Sequence, residues 1–138
     1  MSSTAPPMTV DLEWLGELRL QARVGESAIT IDSDGKGGIS PVQALAAALA
    51  GCMSIDVVHI LTKGREDLRG LKAHLVGWRA DDEPRRFVRI DLKFTLRGEI
   101  QPDRVERALA LSREKYCSVW HSMHQDIDFT IAFELETA

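Results

Sequence analysis

The sequence predicts an α+β fold with antiparallel sheets and the element order βββ-α-ββ-α-β. Three observations predict it. Short runs alternate apolar and polar residues with period two, as half-buried strands do. One stretch of 20 residues, Val42 to Leu61, is apolar on nearly every helical face. Strands and helices do not alternate along the chain, which excludes a doubly wound parallel sheet.

The elements follow in order. Residues 1–7, with Pro6 and Pro7, read as a flexible tail. Met8, Val10, Leu12 and Trp14 then share one face and Thr9, Asp11 and Glu13 the other. Gly16-Glu17 turns the chain into Leu18–Val24, and Gly25-Glu26 turns it again into Ser27–Ile31, with Ile29 and Ile31 inward. This is a meander with hairpin-length connections. The glycines and aspartates of Asp32–Gly38 predict a flexible loop. Ser40 can cap the long helix and Pro41 is preformed for its first turn; Lys63-Gly64 closes it. Leu68–Ala80 and Phe87–Arg97 are strands, the second with Val88, Ile90, Leu92, Phe94 and Leu96 inward. Pro102-Asp103 starts a second helix that ends near Cys117, a short helical turn covers Val119–His124, and Ile127–Leu135 alternates as the last strand.

The 138 residues carry 17 Lys plus Arg against 21 Asp plus Glu, two cysteines and 44% hydrophobic residues. That supports one domain over residues 8–138, with enough apolar surface for a core. It argues against disorder, a disulfide-stapled scaffold and non-specific nucleic-acid binding. The first residues lack the basic and apolar regions of a signal peptide, so the expected compartment is the cytoplasm. Val42–Leu61 has the length of a membrane span. It also carries Gln43, Asp56 and His59, is rich in weakly hydrophobic Ala, and has no aromatic belt. It is therefore read as a buried helix and not as a span. Three strands cannot cover such a helix all round, and a second copy of the chain is the simplest further cover, so a homodimer is expected.

Two places could carry chemistry. Cys52 sits mid-helix and Cys117 lies 65 residues later, at the end of the second helix. Each alone reads as a small buried core residue, whereas a pair of free thiols in a reducing compartment also suits thiol–disulfide chemistry. Cys117, His121 and His124 fall at i, i+4 and i+7 if the helix continues, which would put three zinc-type ligands on one face. Exposed histidines at a helix end are the alternative. His59, one turn after Asp56, is read as paired with it. No phosphate loop or nucleophile elbow occurs.

The stretch Ser40-Pro41-Val42-Gln43-Ala44-Leu45-Ala46-Ala47-Ala48-Leu49-Ala50-Gly51-Cys52 resembles the first-cysteine helix of the OsmC/Ohr superfamily, the osmotically inducible and organic hydroperoxide resistance proteins. Glu114-Lys115-Tyr116-Cys117-Ser118-Val119 resembles its second-cysteine motif. The order of elements agrees over nearly the whole chain after the tail. The resemblance implies an intertwined homodimer in which sheets from both chains wrap long central helices. It also implies a thiol peroxidase for organic hydroperoxides or hydrogen peroxide in oxidative-stress defence. Cys52 would be peroxidatic and Cys117 resolving, with an external dithiol reductant, such as a lipoyl-type one, and no bound cofactor. Such a cysteine reacts as its thiolate and needs a nearby cation. Here the sequence departs from the pattern. Gln43 and Val42 stand where members carry glutamate, and Lys36 is the only cation between Val24 and Lys63. Arg19 and Arg23 are further candidates. Asp56, one turn after Cys52, opposes negative charge on that sulfur. The alternative is a non-peroxidatic dimer of the same fold that binds a small apolar ligand.

Overall fold

The computed structural model describes residues 5–137. Within them the order is β1 (Asp11–Gly16), β2 (Arg19–Val24), β3 (Ser27–Asp32), α1 (Pro41–Lys63), β4 (Asp67–Arg79), β5 (Phe87–Glu99), α2 (Pro102–Leu111), a π-helical turn (Ser112–Tyr116), α3 (Ser118–His121) and β6 (Asp128–Glu136). This is the expected α+β order, with the π turn inserted. Residues 1–4 of the expected tail lie outside the described residues. The chain divides into two compact units, one up to Leu45 and one from Ala46 on, and α1 runs through the boundary.

In the first unit β1, β2 and β3 form the predicted antiparallel meander. Register aligns Leu12 with Ala22 and Ala22 with Ile29, and Trp14 with Leu20 and Leu20 with Ile31, so one face is apolar. Only Ala22 of these is buried; Leu12, Trp14 and Ile29 are 55%, 69% and 53% exposed. The Asp32–Gly38 loop is better tied than its composition suggested. The buried Asp32 carboxylate accepts from the backbone N–H groups of Asp34 (3.0 Å) and Gly37 (2.9 Å) and from Arg19 Nε (3.4 Å). The Gly37 and Asp34 bonds, and after them Arg19, hold its pKa below the ordinary value, against the cost of burial.

The start of α1 is a reciprocal cap. Ser40 N–H donates to Gln43 Oε1 (2.9 Å), and Gln43 N–H donates to Ser40 Oγ (3.1 Å). Beyond it, α1 buries one stripe, Leu49, Met53, Val57 and Leu61, at the i, i+4 spacing of a single helix face. Its other apolar side chains stay outside, with Ile55 71% and Val58 40% exposed. Within one chain, then, the helix is not buried all round. By length and hydropathy it is apolar enough to cross a membrane.

In the second unit β5 lies between β4, antiparallel, and β6, parallel. The expectation of wholly antiparallel sheets is corrected here. β6 follows β5 through a helical crossover and not a hairpin, and a crossover is the connection that parallel pairing requires. Ile90, Leu92, Phe94 and Leu96 are buried as predicted, whereas Val88 is exposed and Phe87 is buried. Pairing steps from Trp78↔Arg89 to Arg79↔Phe87, so Val88 is the extra residue of a bulge. That one-residue slip puts Phe87 on the face of Ile90. Phe87 then lies over Gly77, where a Cβ would come within 2.6 Å of its ring.

A second bulge sits where Leu68↔Gly98 gives way to Arg97↔Gly70. Gly98 has φ +137°, and a Cβ there would collide with the Asp67 carbonyl oxygen. Gly98→Ala is expected to destabilise the chain by about 1–3 kcal/mol through backbone strain. Gly25→Ala, at φ +60° in open space, should cost less. Denaturant midpoints of both variants measure the difference.

Candidate functional site

Cys52 and Asp56 lie one turn apart on α1, a spacing that stacks two side chains on one helix face. Cys117 reaches the same place from a different element. α2 does not run on to Cys117 as the periodicity suggested. It widens at Ser112 into a π turn closed by Cys117 N–H donating to the Ser112 carbonyl (2.8 Å). Cys117 then leaves helical geometry (φ −73°, ψ 97°) and caps α3, its sulfur accepting from Trp120 N–H at 3.3 Å. Both cysteines are free; Cys117 is buried and Cys52 half-buried. The two sulfurs and a carboxylate oxygen of Asp56 all lie within 4.8 Å of one another.

Ser112 is the member of this group that the sequence did not reveal. It is fully buried, and its hydroxyl donates to Asp56 Oδ2 at 2.7 Å. A serine inside a helix-period segment carries no signal that it will face inward. The only available hint was its position five residues before Cys117, which means nothing until the turn is known to be π. The expected Asp56–His59 pair is not found among the described residues: Asp56 accepts from Ser112, and His59 is exposed.

Of the other sequence candidates, Gln43, Lys36, Arg19 and Arg23 belong to the first unit. Gln43 is occupied in the cap of α1. Lys36 and Arg23 are exposed in the first unit, and Arg19 is paired with Asp32. The i, i+4, i+7 zinc set fails because the helix is interrupted at Cys117. His121 Nε2 lies 3.0 Å from the Arg113 carbonyl oxygen, and His124 is exposed. Arg113 itself stacks over Phe129 (4.9 Å) and Trp120 (5.6 Å) and donates to the Phe129 carbonyl, fixing α3 against β6.

Asp56 also borders a cavity of about 590 Å³ lined by His59, Lys63, Arg104, Arg107 and Tyr116 among others. Ile60, Leu61, Leu111 and Glu66 also line it, so apolar and charged groups share the lining. At the cysteines, burial pushes the Cys117 thiol up from 9.0 to about 11. The contact with Cys52 adds to this and the Trp120 N–H opposes it. Between pH 9 and about 11 the unfolded chain therefore releases this proton before the folded one does. The contribution to stability is complete below pH 9 and is lost as pH rises through that window. Unfolding midpoints of the parent should fall more steeply from pH 9 to 11 than those of Cys117→Ala; parallel curves would refute this.

A family model described as OsmC-like protein matches residues 33–132. Protein YhfA of Escherichia coli K12 is 36% identical over 137 residues, covering 95% of this chain and 100% of YhfA. A hypothetical protein of Aquifex aeolicus VF5 has the same fold at TM-score 0.90 and 28% identity, covering 97% of this chain and 99% of that one. The organic hydroperoxide resistance protein OsmC of Legionella pneumophila shares the fold at TM-score 0.70 and 14% identity, over 96% and 99% of the two chains. The two cysteine motifs, the order of elements and these matches agree: this chain belongs to the OsmC-like family.

Proposed function

We propose that this chain is a cysteine-based hydroperoxide reductase of oxidative-stress defence, with Cys52 peroxidatic and Cys117 resolving. The observation that carries the reading is the approach of the two sulfurs within 4.8 Å from elements 65 residues apart in sequence. The family includes proteins named for organic hydroperoxide resistance, which supports a redox role. The Cys52 thiolate attacks the peroxide O–O bond and becomes a sulfenic acid, releasing an alcohol, or water from hydrogen peroxide. The Cys117 sulfur then attacks the sulfenic sulfur, water leaves, and a Cys52–Cys117 disulfide forms. An external dithiol, such as a lipoyl-type one, restores both thiols. Half-burial suits the sulfur that must meet peroxide, and full burial suits the one that must meet only its partner. The reading places the protein in the cytoplasm, whose reducing poise keeps such a pair as thiols between turnovers.

The same reading includes a homodimer. Two apolar surfaces are left outside in a single chain: the Leu12, Trp14 and Ile29 face of the meander, and the Ile55 and Val58 side of α1. Exposed apolar patches of this kind mark interfaces, and the family resemblance implies a second copy as the cover.

Peroxide treatment of the reduced chain should consume one peroxide per cysteine pair and give an intramolecular Cys52–Cys117 disulfide by mass spectrometry. Cys52→Ser should abolish consumption. Cys117→Ser should complete one fast turnover and stall as sulfenic or over-oxidised Cys52. Parent-like consumption by both variants would overturn the reading. For the dimer, sizing at low micromolar concentration should give twice the chain mass, with dissociation and unfolding in one transition. Ala47→Leu or Ala48→Leu should cost about 1–3 kcal/mol by overpacking the helix contact. A folded monomer of unchanged stability would count against the second copy.

A further inference from the structure

We propose that Cys52, Asp56 and Cys117 together hold one thiophilic divalent cation, of the Zn²⁺ type, with its fourth position left to solvent. The proposal goes beyond the peroxidase reading and does not depend on it. The donor set is two sulfurs and one carboxylate oxygen, all within 4.8 Å of one another. Zinc–sulfur bonds of about 2.3 Å in a tetrahedron set the sulfurs about 3.8 Å apart. The reduced site is therefore within roughly an ångström of closing, a distance that side-chain rotation covers. Two sulfurs exclude Mg²⁺ and Ca²⁺, which take oxygen ligands, and select the zinc class.

The surroundings hold these donors in place. Cys52 and Asp56 are fixed relative to each other by one turn of α1. The Ser112 hydroxyl orients the carboxylate at 2.7 Å, while its carbonyl accepts the Cys117 N–H at 2.8 Å, so one buried residue ties two ligands to one frame. The Trp120 N–H on Cys117 Sγ is a donor suited to a metal-bound thiolate. Hydrogen bonds of this kind around a metal's ligands set their orientation and charge. This trio differs from the Cys117, His121 and His124 set read from the sequence, because the break at Cys117 separates the histidines from the sulfur. Binding exchanges two thiol protons for one cation, so two protons are released per ion and affinity rises with pH.

The test uses the full-length chain, freshly reduced, freed of reductant and kept anaerobic. Titration with Cd²⁺ should give a sulfur-to-metal charge-transfer band that saturates at one ion per chain. Zn²⁺ should displace the Cd²⁺ and Mg²⁺ should not. Two protons should appear per ion in weak buffer. Asp56→Asn should weaken Zn²⁺ binding at least about tenfold, and Ser112→Ala by about 10–100-fold, the range for a group that orients a ligand. Stoichiometric Zn²⁺ should also protect the half-buried Cys52 of the unmutated chain from maleimide, a readout that needs no variant to fold. Absence of the band, absence of protection, or parent-like affinity in Asp56→Asn overturns the proposal. Peroxide consumption by the metal-free chain is measured separately, so failure of the redox reading and failure of the metal site are told apart.

Discussion

The hydrogen bond from Cys117 N–H to the Ser112 carbonyl, five residues back, is the constraint on which the site depends. An α-helical turn would pair Cys117 with Arg113 and carry the sulfur around the helix axis. The wider turn instead ends α2 with Ser112 facing inward and delivers Cys117 in extended geometry to cap α3. Widened turns of this kind recur at functional sites. Here the turn supplies both a sulfur and the hydroxyl that steadies Asp56.

Asp56 is the point where this chain departs most from what a reactive thiol ordinarily needs. A carboxylate beside two sulfurs opposes a thiolate, yet it is retained in place by a fully buried serine. Desolvation of Cys117 acts in the same direction, keeping that thiol neutral at ordinary pH. Under the proposed readings, peroxide meets the half-buried Cys52, and a cation would take all three donors together.

The fold itself leaves a large imbalance of apolar surface. α1 buries one stripe and exposes residues as hydrophobic as those it hides, and the meander exposes the face its alternation marks as inner. At roughly 25 cal/mol per Å² of apolar surface removed from water, such faces are a strong drive to association. By composition, α1 would suit a bilayer as well as a protein partner.

Much of this was legible in the residues because the signals were local. Period-two alternation marked β1, β2, β5 and β6, and Ser40-Pro41 with Gln43 marked the start of α1 through the geometry of a cap. The cysteine pair was legible as a pair through the motifs around it. What the residues did not show were shifts of a single position. The bulge at Val88 exchanges it with Phe87 on the inner face, and the π turn at Ser112 breaks the i, i+4, i+7 reading of Cys117, His121 and His124. The parallel pairing of β6 likewise depends on a partner 39 residues away, as Arg89 against Asp128 shows. By itself the sequence determined which elements form, because propensity, capping and periodicity act within a few residues. The tertiary structure decided which side chains meet, because a one-residue change of register costs little locally and is settled only by packing against distant strands and helices.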